Sequence, residues 1–449
     1  MVRALNGNPI DASFEERTYR KVSRRIIPFL FLCYIFAYID RVNVGFAKLQ
    51  MQADLGISEA VYGAAAGIFF IGYFFFEIPC NIALQKIGAR YWLGPIMIVW
   101  GVVSASTMFV KSAGSFYLVR FLLGVVESGF FPGVILYLTF WYTGRHRARM
   151  IATFMTAIPL SGVIGGPISG WLLERMSAAG GLRGWQWLYL VEAIPSILAG
   201  FATFFFLPNG PRDAKWLTPA ERDLVVAHLA EEERRKHAAG EVKHSLSGAF
   251  GSSKVWALCF VYFGFVMGNY GLSFFLPQIL KDTLTKDPFY IGLLTMLPWG
   301  AAAVSMIMVG RHSDRTGERC WHVAIPGFIG ALAFAAAALP GIPGLLGLFA
   351  LTVACAGIAA SYTTFWALPS AFVTGTAASA AIAWINSVGN LGGYVSPALI
   401  GKIRDATGSS MAALFMLAGA CLVSVAITIV FFRKHSEHAL RADTVSGVR

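Results

Sequence analysis

The stretch GRHSDRTGER at residues 310–319 and its weaker copy NIALQKIGAR at residues 81–90 decide the fold of this chain. Each follows a long apolar block and forms a short polar loop, whose glycines permit a tight turn. Asp314 can lie at a helix N-terminus, where a negative charge is favoured. In the copy, Asn81 and Gln85 replace the first glycine and the aspartate. The repeat indicates two parallel halves with a binding site between them.

Apolar residues account for 56% of the 449-residue chain and charged residues for only 13%, against about 25% charged residues in a soluble globular protein. The apolar residues come in blocks close to the ~20 residues with which a helix crosses a bilayer. We therefore predict an all-α membrane protein with twelve transmembrane helices in two groups of six. The predicted spans lie near residues 26–47, 60–82, 92–110, 114–137, 149–173, 187–207, 255–277, 289–310, 321–339, 344–366, 376–399 and 411–432.

The distribution of lysine and arginine gives an orientation. If both termini are cytoplasmic, 26 of the 36 Lys and Arg residues lie in cytoplasmic segments and eight lie in the loops on the other side. This asymmetry satisfies the positive-inside rule for an even number of spans. It also accounts for the formal net charge of +12 without a polyanionic partner, so no binding to nucleic acid is expected.

The central segment is the only long polar stretch of the chain. Within it, Thr218-Pro-Ala-Glu221 predicts a capping box that begins a short charged helix, which ends near His237. A solvated linker helix is the favoured interpretation, and a regulatory or partner-binding role stays open. The predicted domains are a cytoplasmic leader at 1–25, a six-helix bundle at 26–207, a cytoplasmic linker at 208–253, a second six-helix bundle at 254–432 and a cytoplasmic tail at 433–449.

Five further stretches resemble a known family. They are YIDRVN at 38–43, RFLLGVVESGFFPG at 120–133, RGWQW at 183–187, FWALPS at 365–370 and NSVGNLGG at 386–393. Together with the repeated loop, they make the chain, from about residue 24 to residue 432, similar to the major facilitator superfamily. Within it, the chain resembles the anion:cation symporters, which include bacterial tartrate, phthalate, hexuronate and sugar-acid permeases and animal sialin-type carriers.

The resemblance implies a major facilitator fold and proton-coupled uptake of an organic anion. For the repeated loop, it implies a gating function carried by Asp314, Arg315, Gly317 and Arg319.

Four ionisable residues, Asp40, Arg41, Arg120 and Glu127, lie inside predicted spans one and four, where charges are costly and therefore candidates for function. Arg120 and Glu127 are seven residues apart and share a helix face, whereas adjacent Asp40 and Arg41 point about 100° apart. We expect the two spans to bring all four groups around one central cavity. The structural alternative is an interfacial anchor for Arg120 and a local pair for Asp40 and Arg41.

These residue types suit the coupling of an anion to a proton. The guanidinium groups of Arg41 and Arg120 would bind a substrate carboxylate. Asp40 and Glu127 would carry the coupled proton, because protonating either acid releases an arginine from its partner. The family resemblance implies the same roles at these four positions.

Six polar and aromatic residues are further candidates for substrate contact. The resemblance implies contacts near Trp366 and Asn386, although the residues by themselves favour hydrogen bonds between helices for the whole set. The set consists of Tyr38 and Tyr73 in spans one and two, and Thr363, Trp366, Asn386 and Asn390 in spans ten and eleven.

Two more carboxyl groups and two glycine stripes have a structural interpretation. Glu77 and Glu192 are interpreted as interface or inter-helix contacts rather than coupling sites. The glycines at residues 162–170 and 389–393 are explained by close helix packing.

The predicted function is the import of a small organic anion by proton symport through alternating access. A tartrate-like dicarboxylate, a sugar acid and an aromatic carboxylate are all compatible with the sequence. The main alternative is a proton-independent exchanger or an exporter of the same fold. A non-transporting sensor or scaffold would carry a larger soluble domain than residues 208–253 provide.

The sequence has no nucleophile elbow, phosphate-binding loop or zinc-protease motif. No enzymatic activity, cofactor or metal site is therefore predicted. The expected partners are the anion, protons and the lipid bilayer. The family resemblance implies a monomer in a bacterial inner membrane.

Overall fold

The computed structural model describes residues 12–238, 252–372 and 376–446. The parts of the predicted leader, linker and tail at residues 1–11, 239–251 and 447–449 lie outside the described residues. The α-helices are α1 (Ala12–Leu55), α2 (Glu59–Ile87), α3 (Ala89–Ser106), α4 (Ala113–Glu127), α5 (Phe130–Thr139), α6 (Gly144–Met155), α7 (Ala157–Arg175), α8 (Gly184–Phe206), α9 (Pro219–Ala238), α10 (Ser253–Thr283), α11 (Pro288–Thr316), α12 (Cys320–Ala337), α13 (Gly344–Phe365), α14 (Ala367–Phe372), α15 (Thr376–Asn390), α16 (Gly392–Thr407) and α17 (Met411–Ser446).

Eleven helical stretches in the described residues are long and apolar enough to cross a membrane. The predicted span at residues 376–399 corresponds to α15 and α16, which are 15 and 16 residues long and are separated at Leu391. Each one alone is shorter than the ~20 residues that cross a bilayer, and together they complete the twelfth crossing. The all-α membrane fold predicted from the sequence is confirmed.

Helix breaks repeat between the two halves of the chain. Span four is interrupted at residues 128–129, between α4 and α5, and span five at Thr156, between α6 and α7. Span ten is interrupted at Trp366 and span eleven at Leu391. The broken spans are therefore the fourth and fifth of each half, as a parallel repeat requires.

The glycine turns of the repeated motif and the linker helix have the local structure that their residues predict, but the prediction that each motif forms a loop is wrong for residues 81–87 and 310–316, which continue the preceding helices. Gly88 and Gly317 occupy the same position in the two copies, and both have a positive φ, of 88° and 70°, which glycine adopts without strain. The capping box is present, because the Glu221 N–H donates to Thr218 Oγ1 at 3.3 Å and the Thr218 N–H donates to Glu221 Oε2 at 2.8 Å.

The linker helix α9 packs against the first half of the chain. Lys21 Nζ lies 2.7 Å from Glu221 Oε2, and the backbone N–H of Gly144 donates to Glu232 at 2.8 Å. We call the side of the bundle that carries α9 the linker face, and the opposite side the distal face.

The two halves meet closely on the distal face, where α7 packs against α11 and α2 packs against α16. A Cβ atom at Gly166 would lie 2.2 Å from Thr295 Oγ1, and one at Gly63 would lie 2.1 Å from the Pro397 carbonyl oxygen. Only glycine allows the backbones to approach this closely. The close packing predicted for the glycine stripe at residues 162–170 is confirmed.

Candidate functional site

The centre of the bundle holds an ion pair that reaches from span one to span four. The Arg41 guanidinium donates to Glu127 Oε1 through Nε at 2.9 Å and also through Nη2. Its Nη1 donates to the hydroxyl of Tyr270 at 3.0 Å, and Tyr270 lies on α10 in the second half of the chain. Arg41 therefore links the buried Glu127 carboxylate of the first half to Tyr270 of the second half.

Aromatic rings enclose both arginines. The Arg41 guanidinium lies 5.1 Å from the centre of the Phe69 ring, and the Arg120 guanidinium lies 5.3 Å from the same ring. Tyr38 and Tyr73 also face Arg41, at 5.2 and 5.7 Å. Because cation–π contacts are favourable at these distances, the rings stabilise two like charges that share one phenylalanine.

Arg120 is a buried cation without an acidic partner. Its side chain is fully buried, and its Nη2 donates to the carbonyl oxygen of Ala66 at 3.1 Å. Among the described residues, its Nε and Nη1 have no hydrogen-bond partner and no carboxylate pairs with it. A buried charge in this condition is costly, so two N–H donors are left for an anionic ligand.

Asp40 belongs to a different set of contacts. Its carboxylate accepts from Trp100 Nε1 at 3.0 Å, Ser104 Oγ at 3.0 Å and Ser196 Oγ at 2.6 Å. These partners come from α3 and α8, on the side of α1 that faces away from Arg41. The structure thus separates Asp40 from the single cluster expected from the sequence, because adjacent helical residues point about 100° apart.

The six further candidates have mixed surroundings. The Tyr38 hydroxyl donates to the Tyr270 hydroxyl at 3.3 Å, and Tyr73 is buried beside Arg41. Thr363 donates to the carbonyl oxygen of Ala359 within its own helix. Trp366 lies at the break in span ten, and its Nε1 is buried without a hydrogen-bond partner among the described residues.

Asn386 connects the two halves. Its Nδ2 donates to Glu77 Oε1 at 2.7 Å, and neighbouring Ser387 donates to Glu77 Oε2 at 2.9 Å. Asn390 lies one helical turn further along α15 and is 9% exposed. Glu77 thus makes the inter-helix contact that the sequence predicts, and Asn386 is one of its partners.

The residues predicted to gate the transporter lie around a compact turn at the linker face. Asp314 lies in the last turn of α11, and its Oδ1 accepts from Arg319 Nη1 at 2.7 Å. The predicted position of Asp314 at a helix N-terminus is therefore wrong: it lies at the C-terminal end of α11 and contacts Arg319, the residue before α12, by this ion pair. Gly317 ends α11 with a positive φ, and the side chain of Arg315 is exposed.

Tyr270 and Phe69 are site residues that the sequence analysis missed. Both are uncharged, and neither lies in a motif quoted for the family resemblance. The polar pair Asn269-Tyr270 in the middle of span seven is the signal that could have identified Tyr270, because buried hydroxyls require partners. Phe69 is one of many phenylalanines in the spans, and nothing in the sequence separates it from the rest.

A second ion cluster, also missed, lies between the halves at the distal face. Glu59 on α2 lies 2.6 Å from Lys48 Nζ and 3.1 Å from Arg404 Nε. Arg404 on α16 also lies 3.0 Å from Asp282 on α10. Asp405 accepts from the first two backbone N–H groups of α2, at 2.9 and 2.8 Å. These residues lie at predicted span ends, where charges are common.

Comparison with known proteins identifies the family. A family model described as "Major Facilitator Superfamily" matches residues 30–397 and also residues 258–445. The solved structure of the xylose transporter XylE from E. coli, in a partially occluded inward open conformation, superposes with a TM-score of 0.71. At 14% identity over 91% of this chain and 97% of that one, this likeness shows the fold.

Three relatives extend over nearly the whole chain. A "Putative tartrate transporter" of Agrobacterium vitis is 47% identical, over 93% of this chain and 92% of its own. The "Putative metabolite transport protein NicT" of Pseudomonas putida is 46% identical, over 92% and 93%. A "Quinolone resistance transporter" of Acinetobacter baumannii is 38% identical, over 94% and 96%. The chain belongs to the major facilitator superfamily, and it is a multi-pass membrane transporter rather than an enzyme.

Proposed function

We propose that this transporter imports a small organic anion together with protons, by alternating access. The observation that carries the proposal is the unpaired Arg120 guanidinium, which is fully buried beside the Arg41–Glu127 pair. An uncompensated buried cation is costly unless a ligand neutralises it. An anionic substrate supplies the missing charge.

The geometry favours a carboxylate. A guanidinium presents parallel N–H groups that match the two oxygens of a carboxylate. Arg41 and Arg120 both lie against the Phe69 ring, so a substrate with two carboxyl groups can use both. The relative named for tartrate supports a dicarboxylate of this kind, and sugar acids and aromatic carboxylates remain in the tested set.

Coupling to protons follows from the Arg41–Glu127 pair. While Glu127 is ionised, it neutralises Arg41 and competes with an incoming anion. Protonation of Glu127 releases the Arg41 guanidinium, so proton binding and anion binding strengthen each other. The remaining Glu127 oxygen, Oε2, is buried without a partner among the described residues. This supports the proposal that Glu127 changes its protonation state during the cycle.

The contacts between the halves support alternating access. The glycine packing and the Glu59–Arg404 cluster close the distal face, and Glu77 with Asn386 joins the halves closer to the linker face. We propose that these two sets of contacts open in turn, around a site that stays at the centre. Thr363, Trp366 and Asn390 are proposed to line the route in the second half, and the loop of Asp314, Arg315, Gly317 and Arg319 is proposed to gate the linker face.

The orientation is part of the proposal. The excess of Lys and Arg on the linker face favours the cytoplasm for that face, so both termini and the linker would be cytoplasmic and the distal face periplasmic. We propose a bacterial inner membrane as the location and a monomer as the functional unit, with domain limits as predicted from the sequence.

The test is uptake into proteoliposomes that contain the purified full chain. Labelled tartrate, gluconate and phthalate are offered in parallel under an inward proton gradient and under no gradient. We expect gradient-driven accumulation of at least one anion, and the same accumulation in the control Arg175→Gln, which changes an exposed arginine at the end of α7. Failure of all three anions with folded protein would contradict the proposed substrate class.

Export is the second candidate, and the relative named for quinolone resistance favours it. An exporter coupled to protons would deplete preloaded solute from the vesicles under the same gradient. An exchanger would move labelled anion only against unlabelled anion, whatever the gradient. The same proteoliposomes, preloaded with either solute, separate these mechanisms.

A further inference from the structure

Glu192 is a buried carboxyl group in span six that the proposed mechanism does not use. Its side chain is 4% exposed, on α8, and its Oε1 accepts from Ser169 Oγ at 2.6 Å. Its Oε2 is buried without a hydrogen-bond partner among the described residues. Asn43 of α1 lies beside it, and both polar atoms of that amide also lack a partner with ordinary geometry in the described part of the chain.

A small cavity lies next to these unpaired atoms. Asn43 and Ser169, the two polar neighbours of Glu192, line a cavity of about 20 Å³ between α1, α7, α10 and α11. A cavity of this size holds about one water molecule, and the polar atoms around it supply the hydrogen bonds that such a water requires. The cavity therefore offers a water site to Asn43 and Ser169, which connect it to Glu192 inside an otherwise close-packed bundle.

Glu192 and Asp40 belong to two successive polar layers between α1 and α8 in the first half of the chain. We call the two layers together the ladder, and each layer a rung. Ser196, which donates to Asp40, lies one helical turn after Glu192 on α8, and Asn43 lies one turn after Asp40 on α1. Because α8 begins at the distal face and α1 ends there, Glu192 and Asn43 are the rungs closer to that face. Asp40, Ser196 and Ser104 form the deeper rung.

No cation neutralises this ladder. The titratable groups that face Glu192 are Asp40 from α1 and Tyr189 from its own helix. Within the described residues, α7 presents Ser169, and α3 presents Trp100 and Ser104 to the neighbouring Asp40. Arg120 lies near Tyr189 and makes no ion pair with Glu192 in the described part of the chain. Two neighbouring buried carboxylates without a cation are strongly disfavoured, so the ladder requires bound protons.

We propose that Glu192 is a second proton-binding group of the transport cycle, loaded from the distal face through the cavity at Asn43 and Ser169 and coupled to Asp40. The inference rests on the proposed function and extends it. The Glu192 carboxylate takes up one proton from cavity water and becomes a neutral acid, and it returns that proton when the linker face opens. Glu127 keeps its proposed role of releasing Arg41 when it is protonated, while Asp40 and Glu192 hold further protons away from the anion.

The first experiment compares Glu192→Gln with wild type in proteoliposomes, with tartrate as the probe. Glutamine keeps the acceptor for Ser169 but cannot ionise. We expect tartrate counterflow, which needs no net proton movement, to stay near the wild-type rate, and proton-driven accumulation to fall about tenfold or more. Glu174→Gln, at a half-buried position on α7, is the matched control and should retain both activities. Unchanged proton-driven accumulation in Glu192→Gln would overturn the inference while leaving the proposed function intact.

The second experiment does not depend on any substrate. Infrared spectra of the protein in lipid nanodiscs record the C=O stretching band of protonated carboxyl groups. We expect Glu192→Gln to remove part of this band and Ser169→Ala to shift it, because that variant deletes the hydrogen bond to Glu192 but keeps the acid. A band unchanged in both variants would overturn the inference. If wild type moves none of the anions, the proposed function fails, and this measurement still decides whether Glu192 holds a proton.

Discussion

At the scale of single residues, the account depends on a charge that has no partner in the described structure. Arg120 is fully buried, with two nitrogen atoms unsatisfied, whereas Arg41 is neutralised by Glu127. A protein that needed only stability would gain by replacing such a group, because apolar replacements of buried charges are often neutral or stabilising, by about 1–4 kcal/mol. Because Arg120 is present despite the cost of burying its charge, we infer that it binds a ligand.

Arg120→Met should therefore separate stability from transport. We expect the variant to melt at or above the wild-type temperature, because it removes an uncompensated buried charge, and to lose tartrate binding and uptake. Thermal unfolding in detergent and uptake in proteoliposomes measure the two effects. A markedly lower melting temperature with uptake retained would assign Arg120 a structural role instead.

Glu127→Gln should separate anion binding from proton coupling. The amide cannot be ionised, so Arg41 stays available to the anion at every pH. We expect tartrate counterflow to persist and to lose its dependence on pH, while gradient-driven accumulation disappears. Accumulation at the wild-type level in this variant would exclude Glu127 from the coupling mechanism.

The sequence was sufficient to find the charged residues and insufficient to group them. Intramembrane charges are rare, so Asp40, Arg41, Arg120 and Glu127 were identified from the sequence alone. Their division into an arginine–glutamate pair, an unpaired arginine and a separate aspartate depends on helix rotation and on uncharged partners. Tyr270 and Ser196, which fix those rotations, come from distant spans and carry no individual signal in one sequence.

At the scale of elements, the spans are shaped by the points where helices break and by the glycines at which two helices pack backbone to backbone. Length and apolarity predicted the spans, but the interruptions at Thr156 and Leu391 have no proline or glycine at the break itself. The positions of these two interruptions are therefore seen in the structure and were not predicted from the sequence. The close packing at the glycine stripe of α7, in contrast, was predicted from the sequence, because small residues at helical spacing in a membrane span are typical of helix–helix contacts.

Gly166→Ala tests whether close packing on the distal face is part of the cycle. The added methyl group would meet Thr295 Oγ1 at 2.2 Å and the Gly292 carbonyl oxygen at 2.8 Å. We expect a loss of uptake of about tenfold with the fold retained. The control is Gly300→Ala on α11, where an added methyl group has no atom within 4 Å. This variant gains the same helix propensity and should transport normally. Equal uptake by the two variants would show that this contact does not limit closure.

At the scale of the whole molecule, the closed distal face depends on an ion cluster that joins the two halves. Lys48 and Glu59 come from the first half, and Arg404 and Asp282 from the second. Arg404→Gln removes the only described residue that pairs with both halves of this cluster. Spin labels at exposed Lys111 and Lys402, one in each half, report the separation across this face.

We expect the wild type to favour a short distance between these labels and Arg404→Gln to add a longer one, because the closed state loses its charge pairs. Lys286→Gln, which changes an exposed lysine in the loop between α10 and α11, is the control for removing a positive charge on this face. An identical distance distribution in wild type and Arg404→Gln would show that the cluster does not control opening.

The central claim is that an organic anion and protons cross the membrane together, and luminal pH reports this most directly. Proteoliposomes that contain a trapped pH indicator are given an inward gradient of tartrate and no initial pH difference. The account predicts that tartrate entry acidifies the lumen in wild type and that Arg120→Met vesicles show neither entry nor acidification. Tartrate entry without acidification would contradict proton symport and would identify an anion carrier that does not move protons.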